Sequence, residues 1–144
     1  MGRDNVINEI EEKDLKQLQN LFESVFGNDI SYEKMQNLYR ISKNNKDIHT
    51  LGYYIKDNLV GTVTLNILTL PSGKEAMIWD LAVIEEYRRL GIATKLMFRA
   101  EEIAKTEDIT RIWLFSGFQR QYAHELYRKL AYDEKRDKAF VKQI

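Results

Sequence analysis

The sequence predicts an α/β fold built around a mixed sheet, and two patterns indicate it. In the middle of the chain, the runs His49–Lys56 and Leu59–Leu70 are rich in β-branched and aromatic residues and are separated by a turn signal, as in an antiparallel hairpin. Further along, strand-like runs at residues 76–84 and 109–116 flank a helical run, which requires a parallel crossover. We therefore expect an antiparallel meander that leads into a parallel strand–helix–strand unit, with helices on both faces of the sheet.

The N-terminal part of the chain predicts one short strand and two helices. Residues Asp4–Ile10 predict an edge strand, and from about Asp14 apolar residues recur at helical spacing until Gly27, which occupies a helix-stop position. The apolar positions of this first helix are Leu15, Leu18, Leu21, Phe22, Val25 and Phe26. Ser31 is a suitable N-cap for a second helix. The apolar positions of the second helix are Met35, Leu38 and Ile41.

Turn signals and periodicity predict the remaining elements. Asp57-Asn58 is typical of the two-residue turn of a hairpin, and Pro71–Gly73 is typical of the turn that follows. The run Ile109–Ser116 is almost continuously apolar, as expected of a buried parallel strand. The later elements are predicted as a strand at Ala76–Ile84, a helix at Ile92–Ala104, a strand at Ile109–Ser116, a helix at Tyr122–Leu130 and a last strand at Asp137–Lys142.

Composition excludes several classes of protein. The 144 residues contain no linker-like segment, so we expect one domain over residues 1–144. Lys plus Arg and Asp plus Glu both number 22, and the resulting zero net charge argues against nucleic acid as a partner. Cysteine is absent, which excludes disulfides and thiolate metal sites and fits a reducing cytoplasm. We expect a cytoplasmic protein with no metal site, no signal peptide and no membrane span.

The segment Arg88–Thr94 lies where a predicted strand meets a predicted helix, and its residues suit an anion. Free N–H groups at a helix start, together with the helix dipole, attract negative charge. Gly91 lets the backbone come close to an anion, Ala93 is small for the same reason, and Arg88 and Arg89 supply charge and donors. These residues indicate a pyrophosphate site. The alternative is an ordinary strand-to-helix turn with solvated arginines.

Three segments, in this order, resemble motifs of the GCN5-related N-acetyltransferases, the GNAT family. Trp79–Val83 resembles the fourth strand of that family. Arg88-x-x-Gly91-x-Ala93 matches its acetyl-CoA motif, and Ala123–Tyr132 resembles its Ala-x-x-Phe/Leu-Tyr-x-x-x-Gly-Phe/Tyr element. The resemblance implies a GNAT-like acyl-CoA N-acyltransferase fold, with acetyl-CoA as co-substrate.

The chain departs from the family pattern at two places. Ala131 stands where a glycine is usual, and the asparagine often found shortly before Ala123 is missing, with Gln119 and Arg120 in that region. Neither departure touches the phosphate loop, so the implied cofactor binding is little affected. The second puts any role of that asparagine in doubt.

The resemblance implies which residues bind acetyl-CoA. The family's fourth strand carries a bulge, and its backbone binds the pantetheine arm, a role that falls here to Leu81 and Val83. One of their N–H groups would polarise the thioester carbonyl as an oxyanion hole. The full set of implied cofactor-binding residues is Leu81, Ala82, Val83, Arg88, Arg89, Leu90, Gly91, Ile92, Ala93 and Thr94.

Two side chains are candidates for proton transfer. The family commonly places a tyrosine at the position of Tyr127 as the general acid for the CoA sulfur; the alternative is a core aromatic on an amphipathic helix. Asp80 is the candidate base for the amine, directly or through water, and the alternative is a carboxylate that orders the sheet. Strict strand alternation would put Asp80 on one face with Ile78 and Ala82.

The acceptor side is indicated less sharply. Ser116-x-x-x-Arg120-x-x-Ala123-His124 resembles a subset of the family that includes aminoalkylphosphonate and some other small-amine acetyltransferases, which implies Ser116 and Arg120 as candidate substrate-binding residues. Trp79 is a further candidate because it is one of the aromatic residues that could build an acceptor cleft; the alternative is that these aromatics belong to the core. The others are Phe22, Phe26, Tyr32 and Tyr53. The alternative for Arg120 is a surface position or a contact to the adenosine phosphate. We expect transfer of an acetyl group to a primary amine of a small molecule, directly in a ternary complex. An acetyl-CoA sensor without turnover and an acetyltransferase for protein lysines or N-termini are the alternatives, and a homodimer stays open.

Overall fold

The computed structural model describes residues 2–144. In this part of the chain, five strands and four α-helices follow one another, with one-turn 3-10 helices at Glu12–Asp14 and Glu85–Tyr87. The elements are β1 (Val6–Glu9), α1 (Leu15–Phe26), α2 (Tyr32–Lys43), β2 (Ile48–Ile55), β3 (Asn58–Leu70), β4 (Gly73–Val83), α3 (Ile92–Thr106), β5 (Ile112–Leu114) and α4 (Gln121–Lys129).

The strands form one mixed sheet in the order β1-β2-β3-β4-β5. The first four strands pair antiparallel, and β4 pairs parallel with β5 through Ala76–Ile78 and Ile112–Leu114. The helix α3 makes the crossover between these two parallel strands. The α/β class, the meander and the parallel strand–helix–strand unit predicted from the sequence are therefore confirmed.

Each face of the sheet is covered by its own hydrophobic core. The core under α3 also receives part of α4 and includes Val63, Leu65, Ile78, Leu96, Met97 and Ala100. The core under α1 and α2 includes Ile10, Leu15, Leu18, Leu21, Met35, Tyr54 and Leu59. Helices therefore cover both faces, as predicted, and the sheet between them is buried on both sides.

The second helix begins as predicted but buries a different face. The Ser31 side chain accepts a hydrogen bond from the Lys34 N–H at 3.1 Å, which confirms it as the N-cap. Of the three apolar positions, only Met35 is buried, because Leu38 and Ile41 are 51% and 70% exposed. Tyr39 turns inward instead, and its hydroxyl donates to the Ile10 carbonyl at 2.9 Å.

The hairpin turn lies one residue earlier than the sequence suggests. Lys56 and Asp57 form the turn between β2 and β3, and Ile55 pairs with Asn58. Both turn residues have positive φ, 50° and 63°, as a type I′ hairpin turn requires. The Asp57 carboxylate accepts a hydrogen bond from the Arg3 side chain at 2.7 Å, which joins the turn to the N-terminal segment.

The predicted last strand at Asp137–Lys142 is wrong. Residues 130–144 contain no strand, and Phe140 and Val141 are each 88% exposed. These two apolar residues are neighbours, so in a strand they would point to opposite faces and could not both join one core. The strand β5, which would be the neighbour, is also shorter than predicted at three residues.

No helix within residues 2–144 is long and apolar enough to cross a membrane.

Candidate active site

The two parallel strands separate and leave an open edge. Pairing between β4 and β5 stops at Ile78 and Leu114, while β4 continues to Val83 with β3 as its remaining neighbour. On the other side of this gap, α4 begins at Gln121. The edge of β4 from Trp79 to Val83 therefore faces a cleft instead of a strand, so no strand pairs with its outward backbone groups.

A β-bulge lies on this open edge. Thr62 pairs with Ala82 and Thr64 with Trp79, so Asp80 and Leu81 together oppose Val63 alone. Asp80 has a φ of 56°, in the left-handed region that aspartate tolerates better than most residues. The bulge that the resemblance implies for this strand is thus present.

Because of the bulge, Ile78, Asp80 and Ala82 do not share one face of the sheet, as strict alternation predicted. Ile78 belongs to the core under α3, whereas Ala82 belongs to the core under α1. The extra residue shifts the alternation by one position, so Ile78 and Ala82 point to opposite sides of the sheet. The expectation that Asp80 shares a face with both is wrong, because it assumed an unbroken strand.

The backbone of Leu81 and Val83 points towards the cleft. The Ile84 N–H donates to the Val60 carbonyl at 2.9 Å, so Ala82 and Ile84 direct their backbone groups towards β3. By the alternation of an antiparallel ladder, Leu81 and Val83 direct theirs to the open edge. The Arg88 side chain agrees with this, since its Nε donates to the Val83 carbonyl at 3.1 Å.

The loop at the start of α3 has the geometry of an anion site. Gly91 is the N-cap with a φ of 78°, and no side chain caps the helix, so its first N–H groups have no side-chain partner. A Cβ built on Gly91 would meet nothing within 4 Å, which means that this position faces open space. The Arg88 guanidinium carbon lies 5.0 Å from the ring centroid of Tyr122 on α4. The Arg88 guanidinium therefore places a positive charge beside the loop, and its contact with Tyr122 holds it there.

A single cleft of about 1170 Å³ brings nearly all of the predicted site residues together. Leu90 is the exception among them: it is 59% exposed and does not line the cleft. The predicted residues that do line it are Trp79, Asp80, Leu81, Ala82, Val83, Arg88, Arg89, Gly91, Ile92, Ala93, Thr94, Ser116, Arg120 and Tyr127. Their grouping follows from the topology, because the open edge of β4, the start of α3 and the start of α4 meet there.

Tyr127 reaches the cleft from α4. The residue is half-buried, and within residues 2–144 its hydroxyl makes no hydrogen bond. Desolvation raises the pKa of this phenol, and the positive charge of Arg120 opposes the rise. Its ring packs edge-on against Tyr132 with the centroids 6.1 Å apart, and the Tyr132 hydroxyl donates to Glu101 at 2.9 Å. Tyr127 therefore presents a protonated, unpaired hydroxyl on a fixed ring.

Asp80 is the carboxylate of the open edge. Solvent reaches it, yet desolvation by the cleft walls raises the pKa of its carboxyl, and the charge of Arg120 opposes this rise. A carboxyl with a raised pKa is a stronger proton acceptor once it is ionised. The geometry gives Asp80 both the backbone role of a bulge residue and a side chain free for proton transfer.

Sequence reasoning missed one aromatic wall of the cleft. Phe115 lies 6.1 Å from Trp79 between ring centroids, and the two residues are 55% and 42% exposed. Phe115 belongs to an apolar run that predicts a buried strand. It is exposed because β5 ends one residue earlier, at Leu114. Phe26 at the end of α1 also lines the cleft, and its ring centroid lies 4.3 Å from the guanidinium carbon of Arg120 at the start of α4.

Comparisons with known proteins agree with this fold. The model of the acetyltransferase (GNAT) family matches residues 13–132. No curated protein matches the chain. A protein of Agrobacterium tumefaciens str. C58 named as an acetyltransferase superposes with a TM-score of 0.87 at 16% identity, covering 96% of this chain and 99% of its own.

Two further solved structures have related folds. An aminoglycoside acetyltransferase from an uncultured soil metagenomic sample superposes with a TM-score of 0.80 at 23% identity, covering 96% of this chain and 95% of that one. A ribosomal-protein-alanine N-acetyltransferase from Brucella melitensis biovar Abortus 2308 superposes with a TM-score of 0.77 at 18% identity, covering 96% and 99%. At these identities the likeness concerns the fold.

Proposed function

The chain belongs to the acetyltransferase (GNAT) family, and from this premise we propose that it transfers the acetyl group of acetyl-CoA to a primary amine of a small molecule, directly in a ternary complex. One observation carries the proposal: the open edge of β4, the uncapped start of α3 and the free hydroxyl of Tyr127 line one cleft. The absence of cysteine supports a cytoplasmic setting for the reaction.

The residues of the cleft fit acetyl-CoA. The open space at Gly91 and the uncapped N–H groups of α3 suit a pyrophosphate, and Arg88 and Arg89 add positive charge beside them. The N–H and carbonyl of Leu81 and the N–H of Val83 suit the amide groups of an extended pantetheine arm, whereas the Val83 carbonyl already accepts from Arg88. When bound, acetyl-CoA would supply an activated acetyl thioester.

The side chains and backbone then divide the remaining chemistry. A backbone N–H of Leu81 or Val83 donates to the thioester oxygen as negative charge develops on it. Asp80 accepts a proton from the attacking ammonium, directly or through water, which frees the nitrogen lone pair. Tyr127 donates its phenolic proton to the departing sulfur, so CoA leaves as the thiol. The nitrogen loses a second proton to solvent as the amide forms, so the net reaction releases one proton. Transfer of the proton held by Asp80 to Tyr127 through solvent then restores both side chains.

Small-molecule amines are the favoured acceptors because aminoglycoside acetyltransferases from two sources share the fold over most of both chains. The ribosomal-protein-alanine N-acetyltransferase keeps a protein N-terminus as the second candidate. A panel of small amines and short peptides, with detection of free CoA thiol, tests the proposal. We expect thiol release with a small amine. Release with peptides alone would favour a protein acceptor, and acetyl-CoA binding without any release would favour a sensor.

A further inference from the structure

One arginine side chain in the cleft bridges two elements that the chain places on opposite sides of the gap. The Arg88 Nε donates to the Val83 carbonyl at 3.1 Å, and the Arg88 guanidinium carbon lies 5.0 Å from the ring centroid of Tyr122. All three residues line the cleft. Val83 is the last residue of β4 and Tyr122 is the second residue of α4, so Arg88 connects the end of the open strand edge to the start of the helix across the gap.

This bridge leaves most of the guanidinium donors free. The bond to Val83 uses Nε, and the side chain makes no other hydrogen bond within residues 2–144. A guanidinium has five N–H donors in a planar fork, so the four on the two Nη atoms have no partner among these residues. Arg88 precedes Gly91, the N-cap of α3, by three residues. The free donors therefore belong to the same short loop as the uncapped helix start that suits a pyrophosphate.

The bond to Val83 also limits how far a ligand can pair along the open edge. The N–H and carbonyl of Leu81 and the N–H of Val83 have no strand partner, whereas the Val83 carbonyl is already occupied by Arg88. An extended pantetheine arm could pair with the first three groups but not with the fourth. The arm would therefore leave the strand at Val83, and its pyrophosphate would begin beside the free Nη donors of Arg88.

The Tyr122 ring contributes little to the packing of the fold. It is 56% exposed, no residue of α4 is buried, and neither hydrophobic core described above includes Tyr122. A ring that faces a guanidinium attracts it through the ring quadrupole, which favours one position of a long and flexible side chain. The contact with Arg88 therefore explains this exposed aromatic residue better than a role in stability does.

We propose, resting on the function proposed above, that Tyr122 is a positioning residue for acetyl-CoA binding. Its ring holds the Arg88 guanidinium between β4 and α4, so that Nε binds the Val83 carbonyl and the Nη donors face the pyrophosphate. Tyr122 acts through Arg88 and does not bind the cofactor itself. Without the ring, acetyl-CoA would have to order the arginine side chain on binding, and the lost rotamer freedom would reduce its affinity.

A double-mutant cycle, measured by calorimetric titration of acetyl-CoA, tests the proposal. Tyr122→Leu keeps an apolar side chain but removes the ring, and we expect the affinity for acetyl-CoA to fall about 2- to 10-fold, the range of a partly exposed cation–π contact. In the Arg88→Gln background, the same substitution should have no further effect, because the guanidinium that the ring holds is gone. Tyr122→Phe keeps the ring and should restore wild-type affinity.

The matched control is an exposed aromatic residue outside this cleft. Phe118 is 93% exposed and does not line the cleft, so Phe118→Leu should bind acetyl-CoA like the wild type. Melting temperatures close to the wild type are expected for Tyr122→Leu and Phe118→Leu alike, because both side chains lie on the surface. A loss of affinity in Tyr122→Leu at an unchanged melting temperature separates positioning from folding.

Three results would overturn the proposal while leaving acetyl transfer intact. An equal loss of affinity on Tyr122→Leu in the wild-type and Arg88→Gln backgrounds would show that the ring contacts the cofactor directly. A loss in Tyr122→Phe as large as in Tyr122→Leu would assign the effect to the hydroxyl. Wild-type affinity in Tyr122→Leu would show that the ring does not matter for binding.

Because the measurement is binding, the failure of the proposed function is a different result. Acetyl-CoA binding with the expected coupling between Tyr122 and Arg88, but without acetylation of any amine, would overturn acetyl transfer and keep the positioning role. No binding of acetyl-CoA by the wild type would overturn both.

Discussion

At the residue scale, Asp80 combines a special backbone conformation with a carboxylate side chain, and an experiment must distinguish the two. It adopts a φ of 56° at the bulge, and it carries the carboxylate of the open edge. Asparagine and glycine both tolerate the left-handed region, so either can replace the backbone role while removing the proton acceptor. This makes substitution at Asp80 unusually informative.

We predict that Asp80→Asn and Asp80→Gly both slow turnover, with little effect on acetyl-CoA affinity and on the melting temperature. Because the pKa of Asp80 is raised, wild-type activity should fall as the pH drops through that raised value, and this acid limb should change in both variants. The measurement is a pH profile of kcat/KM, with Glu125→Gln as the control carboxylate from the same cleft. Normal turnover in Asp80→Gly would show that the residue serves the bulge alone.

Tyr127 permits a cleaner test, because a single oxygen can be removed. We predict that Tyr127→Phe lowers turnover by about 10²- to 10⁴-fold, the usual contribution of a positioned general acid, while ring packing and acetyl-CoA affinity are retained. A smaller fall is expected if solvent reaches the sulfur. Steady-state rates and calorimetry measure the two quantities.

The control for Tyr127 is its neighbour Tyr132. Tyr132→Phe loses the hydrogen bond to Glu101 and should lower the melting temperature, with a smaller effect on turnover than Tyr127→Phe. If Tyr127→Phe turns over like the wild type, Tyr127 is a core aromatic and the general-acid role is wrong.

At the level of elements, the N-terminal segment is held by a buried carboxylate. Asp14 is 1% exposed and accepts hydrogen bonds from both Arg3 Nη atoms at 2.8 and 2.9 Å and from the Tyr54 hydroxyl at 2.8 Å. The Glu11 N–H donates to it at 3.0 Å, and the Arg3 guanidinium carbon lies 3.8 Å from the Tyr54 ring centroid. One side chain therefore joins the segment before β1, the start of α1 and the strand β2.

This cluster predicts a specific loss of stability in acid. Burial by itself would raise the pKa of Asp14, but the hydrogen bonds from Arg3, Glu11 and Tyr54 outweigh it and lower the pKa. The ionised Asp14 carboxylate therefore adds to the free energy of unfolding above the usual aspartate pKa of about 3.9. This stabilisation is lost as the pH falls below that value. Asp14→Asn removes the buried charge partner of Arg3, which keeps its bond to Asp57, and should cost about 1–3 kcal/mol at neutral pH.

Denaturant titrations of the wild type and Asp14→Asn across the acid range measure this effect. The free energy of unfolding should fall less steeply with decreasing pH in Asp14→Asn than in the wild type. Asp4→Asn is a suitable control, since Asp4 is exposed and its carboxylate accepts from the Lys56 N–H at 2.9 Å on the surface. Parallel pH curves for the wild type and Asp14→Asn would contradict the assignment.

The elements also show where sequence patterns are informative and where they fail. Helix α1 was predictable because Leu15, Leu18 and Leu21 repeat at helical spacing and all three are buried. The bulge could not be predicted from periodicity, because one extra residue at Asp80 reverses the alternation of everything after it. The residue at which β5 ends was also unpredictable, because an apolar run does not show where pairing with the neighbouring strand stops.

At the level of the whole molecule, the cleft follows from topology. One parallel pair at the end of an antiparallel meander leaves β4 with an open edge, and the crossover helix α3 begins beside it. The meander followed by a parallel pair was predictable from the change of period along the chain; phosphate binding by the loop before α3 stays a prediction from its glycine and arginines. The meeting of Phe26, Phe115 and Arg120 in this cleft was not fully predictable, because the end of α1, the end of β5 and the start of α4 are far apart in sequence. One domain over residues 1–144 stays a prediction.

The central claim is that this cleft binds acetyl-CoA with its pyrophosphate at the start of α3, and a titration of Gly91→Glu tests it most directly. The variant places a negative side chain in the open space where the phosphates are expected. Gly27→Glu is the matched control, because Gly27 has a φ of 69° and equally open space, so both variants carry similar backbone strain. Calorimetry with acetyl-CoA should give wild-type affinity for Gly27→Glu and no measurable binding for Gly91→Glu, although both variants melt at similar temperatures. Wild-type affinity in Gly91→Glu would contradict the account.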